Sequence, residues 1–276
     1  MRSNGRIARR FAQLRAENQA ALIPFIFAGD PDLEHTQALV RELAQRGADL
    51  IELGIPFSEP MADGPANQRA GARGMAGGGT LSAVLGMVSQ LRQDTQVPLI
   101  LFGYANPFLH YGSERLCADA VAAGVDGLLV VDMPPEESSE LAGPARAAGL
   151  DPIYLLAPTT PLERARRIAR SASGFLYYVS VTGVTGARTE VAADLEQHIH
   201  ALREVTELPL GVGFGISTPT QAAQVASYAD AVIVGSALSQ LIESCGNSER
   251  LLPTVCGLVA EMKQAMRAAR SRAQVA

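Results

Sequence analysis

Lysine is all but absent from this chain: Lys263, late in the sequence, is its one example. It falls in the last helical pattern, far from any strand end, which argues against a Schiff-base aldolase. Cysteine is scarce too. Cys117, Cys245 and Cys256 are odd in number and show no paired spacing, so they read as reduced thiols of a cytosolic protein. No apolar run approaches the roughly 20 residues that a membrane-spanning helix needs. His198 and His200 are two apart, so on a helix they point to different faces and do not chelate one metal. No nucleotide-binding P-loop is present. The net charge of −5 gives no general attraction to nucleic acid or anionic membrane.

What the chain has is apolar residues, 47% of 276, enough for two small domains or one large α/β barrel. Short apolar runs alternate with helical patterns. The strand candidates are 22–27, 49–53, 98–103, 127–131, 152–156, 175–179, 210–213 and 231–234. Helical periodicity lies between them, as in 33–45 (Leu39, Val40, Leu43) and 162–172 (Leu162, Ala165, Ile168, Ala169). Runs of Val, Ile and Leu covered by helices imply a parallel sheet buried on both faces. Eight such units at this length predict a closed (β/α)8 barrel, one domain over 1–276. Gly47, Gly124 and Gly149 precede strands as C′ glycines do. The alternative is a doubly wound open sheet. That fold wants a Gly-rich phosphate loop after its first strand, and Ala28-Gly-Asp-Pro31 does not match it.

The N-terminal arginines Arg2, Arg6, Arg9, Arg10 and Arg15 invite a targeting reading. Ile7, Phe11 and Leu14, however, form a single i, i+4, i+7 stripe. The better account is a helix within 1–18 that plugs one end of the barrel. Gly77-Gly78-Gly79 reads as a local hinge. The last helix, about Glu249 to Arg270, is expected to end in a solvated basic tail.

Active sites of such barrels lie at the C-terminal ends of the strands. Glu52 sits near the end of the second strand. Gly54, Pro56, Pro60, Gly64 and Pro65 then break regular structure, and the loop delivers a second carboxylate, Asp63. A strand that carries one carboxylate toward a loop holding another suits proton transfer. Among Ile51, Leu53 and Ile55, desolvation should favour the protonated form of Glu52. The bland reading is a glutamate capping a neighbouring backbone N–H. After the sixth strand, two Thr-Gly pairs and Arg188 suit a lid at 181–190, or an ordinary surface loop. Gly211-Val-Gly-Phe-Gly-Ile-Ser217 and Val234-Gly-Ser-Ala-Leu238 follow strands seven and eight, where phosphate-binding barrels place their anion site. Neither block holds a Lys or Arg, so such a site relies on backbone N–H groups and a helix dipole. The glycines could also be mere tight turns.

With these residues set out, the chain resembles the α subunits of tryptophan synthase along almost its whole length. The strongest motif is Glu52-Leu-Gly-Ile-Pro-Phe-Ser-Glu-Pro-Met-Ala-Asp-Gly-Pro65. Ile23–Pro31, Tyr104-Ala-Asn106, Val131-Asp-Met-Pro134, Gly183-Val-Thr-Gly186, Gly213-Phe-Gly-Ile-Ser217 and Gly235-Ser236 also match. The resemblance implies a TIM barrel that cleaves indole-3-glycerol phosphate to indole and glyceraldehyde 3-phosphate, a lyase step of tryptophan biosynthesis. It implies that Glu52 is the acid/base at indole C3 and at the side-chain hydroxyl. Asp63 would stabilise positive charge at the indole nitrogen and take its proton, with Tyr177 beside them. Phe25 and Phe102 would line the indole pocket and Thr185 orient Asp63. Gly186, Gly215, Gly235 and Ser236 would hold the phosphate, with Phe214 also in contact with substrate. The implied partner is a pyridoxal-phosphate β subunit in an α2β2 heterotetramer, with no cofactor in this chain.

Three positions depart from the family pattern. Glu59 stands for the usual Asp, Ala66-Asn67 for Thr and a branched aliphatic, and Val181 for the Arg of some members. All adjoin the two loops that would close and signal to the partner. The loops at Phe57–Asp63 and Tyr104–Tyr111, with Pro56, Pro60, Pro107, Phe57, Phe108 and Leu109, are expected to present an apolar rim to that partner. A stand-alone lyase of the same fold and a non-catalytic, phosphate-binding regulatory barrel remain as alternatives. Intact Glu52 and Asp63 argue against the second.

Overall fold

In the computed structural model the described residues are 5–180, 190–213 and 215–273. The first half runs α1 (Arg6–Ala16), β1 (Ala21–Phe27), α2 (Leu33–Gln45), β2 (Ile51–Gly54), α3 (Pro65–Ala76), α4 (Leu81–Leu91), β3 (Leu99–Gly103), α5 (Ala105–Tyr111), α6 (Ser113–Ala123) and β4 (Gly127–Val130). The second half runs α7 (Ser139–Ala148), β5 (Asp151–Leu156), α8 (Leu162–Ser171), β6 (Leu176–Val179), α9 (Glu190–Arg203), β7 (Leu210–Gly213), α10 (Pro219–Ala226), β8 (Ala231–Val234), α11 (Ser236–Cys245) and α12 (Leu251–Ala273). The eight strands are parallel, pair in chain order, and close where β8 meets β1. This is the (β/α)8 barrel expected from the alternation, and it excludes the open doubly wound sheet.

Side-chain alternation along each strand sorts the core. Ile23 of β1, Ile100 of β3, Leu129 of β4, Ile153 of β5, Phe175 just before β6 and Ile233 of β8 fill the barrel interior. The residues between them face the helical shell. Ile7, Phe11 and Leu14 of α1 join the interior cluster, and Phe11 meets Phe175 with ring centroids 5.8 Å apart. The N-terminal stripe therefore plugs the end of the barrel opposite the active-site face.

That end carries a repeated device. Asp49, Asp126 and Asp230 each stand just before a strand. Each donates its own N–H to a residue of the preceding strand and accepts that residue's N–H on a carboxylate oxygen. The partners are Leu22, Leu99 and Leu210, at 2.6, 2.9 and 2.9 Å from the carboxylates. Each carboxylate is matched by cations: Arg10 and Lys263 for Asp49, Arg6 and Arg92 for Asp126, Arg203 for Asp230. Asp49 is thus a bridge to β1 rather than the first laddered residue of β2, which begins at Ile51.

Three further expectations change. Gly77-Gly78-Gly79 is a tightly packed corner, not a hinge. A Cβ on Gly77 would lie 2.0 Å from the Gly29 carbonyl oxygen, and one on Gly79 would lie 2.1 Å from that of Ala28. The tail of α12 is not free in solvent, because Arg270 donates to the carbonyls of Ala226 and Ala229. The segment 105–111 is a helix, and Phe108 is buried in the core.

Candidate active site

The mouth of the barrel at the C-terminal strand ends holds a cavity of about 450 Å³. Its walls include Phe25, Phe102, Tyr177 and Ile233 from the barrel interior and Gly215, Gly235 and Ser236 from the loops after β7 and β8. The alternation that puts Ile23 inside also puts Phe25 inside, and Glu52 is its register partner on β2. Phe25 and Phe102 contact edge to face, with centroids 4.8 Å apart. Gly213 on β7 has no side chain because the Tyr177 hydroxyl occupies that space: a Cβ there would lie 2.2 Å from it.

Glu52 is 0% exposed, and neither carboxylate oxygen has a hydrogen-bond partner. Burial alone pushes its carboxyl up to about 8. The capping reading fails, since a cap would bond an N–H. An uncompensated buried carboxylate is costly when ionised, so near neutral pH it is mostly protonated and holds a transferable proton. Burial, and then the field of Glu52, raise the Tyr177 phenol well above its usual range. Tyr177 therefore stays a neutral hydroxyl.

Asp63 lies just before α3, whose N-cap is Gly64 and whose first residue is Pro65. The Tyr104 hydroxyl donates to Asp63 Oδ2 at 2.8 Å and accepts the Ala62 N–H at 3.0 Å. Asn67 reaches Oδ1 at 3.5 Å, and Gln68 donates to the Asp63 carbonyl at 2.8 Å. Desolvation raises the Asp63 pKa, and the Tyr104 and Asn67 bonds oppose it. The two carboxylates thus occupy different environments, one dry and unbonded, the other hydrogen-bonded and partly exposed.

Residues of both glycine blocks, Gly215, Gly235 and Ser236, line the cavity. Gly235 caps α11 and no side chain bonds its first turn, where the Leu238 N–H bonds the Gly235 carbonyl at 2.8 Å. Gly215 adopts φ +73°, which favours glycine. The absence of basic residues from these two blocks is real, yet Arg69 of α3 comes to the cavity wall, with Asn67 and Gln240. Arg69 is paired with Glu243 at 2.7 and 2.9 Å. Sequence reading missed Tyr104, Asn67 and Arg69 as site residues. Only Tyr104 had a signal, its place at the end of the third strand. Val181, Thr185, Gly186 and Phe214 were expected at the site, and a lid was expected at 181–190. These expectations lie outside the described residues. Among the described residues no group of His, Cys, Asp and Glu could hold a metal.

The apolar rim is smaller than expected. Phe108 is in the core, and Phe57 stacks with Tyr104, centroids 5.5 Å apart. Exposure concentrates at Met61, 93% accessible on the loop before Asp63.

The chain has close relatives of known name. It is 55% identical over 259 residues to the tryptophan synthase alpha chain of Geobacter sp. (strain M21), covering 94% of this chain and 97% of that one. It is 49% identical over 274 residues to that of Granulibacter bethesdensis, covering 98% and 99%. The crystal structure of tryptophan synthase subunit alpha from Legionella pneumophila superposes with a TM-score of 0.88 at 43% identity, covering 96% of this chain and 99% of that one. Mycobacterium tuberculosis tryptophan synthase gives 0.86 at 34%, covering 97% and 99%. The sequence profile of the family described as tryptophan synthase alpha chain matches residues 11–267, and the chain belongs to that family.

Proposed function

We propose that Glu52 and Asp63 divide the proton transfers of the alpha-chain half-reaction, the retro-aldol cleavage of indole-3-glycerol phosphate to indole and glyceraldehyde 3-phosphate. The observation that carries this reading is the fully buried Glu52, unbonded and mostly protonated, beside Phe25 at the top of β2. The indole lies against Phe25 and Phe102, and the phosphate meets the N–H groups at Gly235–Ser236 and Gly215. Glu52 gives its proton to indole C3. Asp63 stabilises the positive charge that develops at the ring nitrogen and takes its proton. The Glu52 carboxylate then removes the proton of the side-chain hydroxyl. The C–C bond breaks, its electron pair returns to the ring, the nitrogen regains its proton, and the hydroxyl carbon becomes the aldehyde. Glu52 ends protonated, ready for the next turnover. Tyr177, a neutral hydroxyl beside Glu52, completes the wall.

The indole passes to a β subunit in an α2β2 assembly. Pyridoxal phosphate is assigned to that partner. Lys263 is committed to Asp49 at 2.6 Å and to the Ala20 carbonyl at the opposite end of the barrel, which supports the assignment. The docking face is the loop 57–63, where Met61 stands free. Free thiols at Cys117, Cys245 and Cys256 support a cytoplasmic location. Indole release from the Glu52→Gln and Asp63→Asn variants tests the division of roles: both should be severely impaired while binding ligand. Normal turnover by either would overturn it.

A further inference from the structure

A continuous set of side-chain contacts runs from Asp63 to the helix that begins at Ser236. Asn67, on the first turn of α3, is its middle member. Its Oδ1 accepts from Ser239 Oγ at 3.1 Å and its Nδ2 reaches Asp63 Oδ1 at 3.5 Å. Ser239 is 1% exposed, and its N–H bonds the Gly235 carbonyl at 3.1 Å. The two helices are clamped further along. Arg69 and Arg73 both pair with Glu243, and Arg73 donates to the Ser239 carbonyl at 3.3 Å. Arg73 also makes a bidentate pair with the buried Asp30, at 2.8 Å twice. These ties fix α3 against α11, so position 67 is held opposite position 239.

The chemistry of position 67 is specific. A side-chain amide accepts at one atom and donates from the other across one plane. Such a group accepts the serine proton and donates to the carboxylate at once. A branched aliphatic there makes neither bond and leaves a buried hydroxyl without its acceptor. The Asp63 contact is at the long end of hydrogen-bond range, where strength changes steeply with distance. Small movements of α11 along this path therefore reach the carboxylate. Tyr104 already holds Oδ2, so a donor on Oδ1 fixes the carboxylate plane.

We propose that Asn67 is a positioning residue that couples the phosphate end of the cavity to Asp63: phosphate seated on the N-terminus of α11 orients the carboxylate through Ser239 and Asn67. This rests on the roles given above to Asp63 and to Gly235–Ser236.

The test compares Asn67→Leu, Ser239→Ala and the double variant with the unaltered chain, measuring indole release from indole-3-glycerol phosphate across pH. Asn67→Leu should lower kcat about tenfold while KM changes by less than about twofold. Its acid limb should move to higher pH, because Asp63 loses a donor that favours its ionised form. Ser239→Ala, one atom smaller, should lower kcat in the same direction and keeps the test intact should the larger change unfold α3. The double variant should be no worse than Asn67→Leu alone, since both cut one path. Additive losses, or an acid limb that stays in place, would overturn the proposal. Asp63→Asn is the control. If it is impaired while Asn67→Leu behaves like the unaltered chain, only the coupling fails. If Asp63→Asn turns over normally, the reading of Asp63 fails first.

Discussion

The Tyr104 hydroxyl donates to Asp63 Oδ2 at 2.8 Å while accepting the Ala62 N–H at 3.0 Å. One phenol thus ties the loop after β2 to the end of β3 and leaves the second carboxylate bonded but partly exposed. Tyr104→Phe keeps the ring that stacks on Phe57 and removes both bonds. Asp63 then loses a donor that opposes desolvation, so its pKa rises further and the acid limb of kcat moves to higher pH. Activity near neutral pH should fall about tenfold, the lower end of what misplacing an acid/base group costs. A steady-state pH series measures both.

Glu52→Gln should lower indole release by roughly 10²–10⁴-fold or more, since one residue serves two steps. It also has a stability signature. The folded-state pKa of about 8 lies above the ordinary value of 4.5. The proton on Glu52 therefore favours the folded state fully at low pH, and this is lost as pH rises from about 4.5 through 8. Between those limits the unaltered chain should lose stability relative to the Gln variant by roughly 1.4 kcal/mol per pH unit. Urea denaturation of both chains at several pH values reads that slope.

Gly235→Asp places a charge where N–H groups meet the phosphate. Its Cβ would stand 3.2 Å from Phe25 Cδ1, so the ring must give slightly. Affinity for a glycerol-phosphate analogue should fall far more than affinity for indole. Equal losses in a titration of the two ligands would remove the phosphate from this helix end.

Lys263→Met acts at the other end of the barrel. It leaves Asp49 with Arg10 and the Leu22 N–H but removes a 2.6 Å partner from a fully buried carboxylate. Breaking a buried pair on one side typically costs about 3–5 kcal/mol, and the remaining partners put this case at the low end. Denaturant unfolding should register the loss, while kcat of the folded fraction stays unchanged.

Titrating a β subunit from the same source should raise lyase activity at least about tenfold, roughly 1.4 kcal/mol of coupling. The loop that carries exposed Met61 leads into Asp63, so a partner seated there biases the carboxylate. Met61→Asp should blunt the activation without lowering the activity of the isolated chain. Full activity alone, unmoved by the partner, would describe a stand-alone lyase.

Local pattern settled the elements of this protein. Short continuous apolar runs gave the eight strands, and period-3.6 spacing the helix Leu33–Gln45, to within about two residues, because burial on both faces of a parallel strand and on one face of a helix is written in neighbouring residues. Glu52 was legible for the same reason: a lone carboxylate in an apolar strand end has few local explanations. What the chain could not declare locally were contacts across large separations. Asn67 meets Ser239 only because α3 packs on α11, and Phe108 is core only because the segment after Tyr104 coils. The three glycines at 77–79 pattern as a hinge, yet Gly77 and Gly79 are small because the backbone of Ala28 and Gly29 passes against them, and Gly78 holds φ +84°. Sequence fixed which residues are apolar, charged or small. Closing the barrel decided which of them meet, since the partner of each buried polar group comes from another strand or helix.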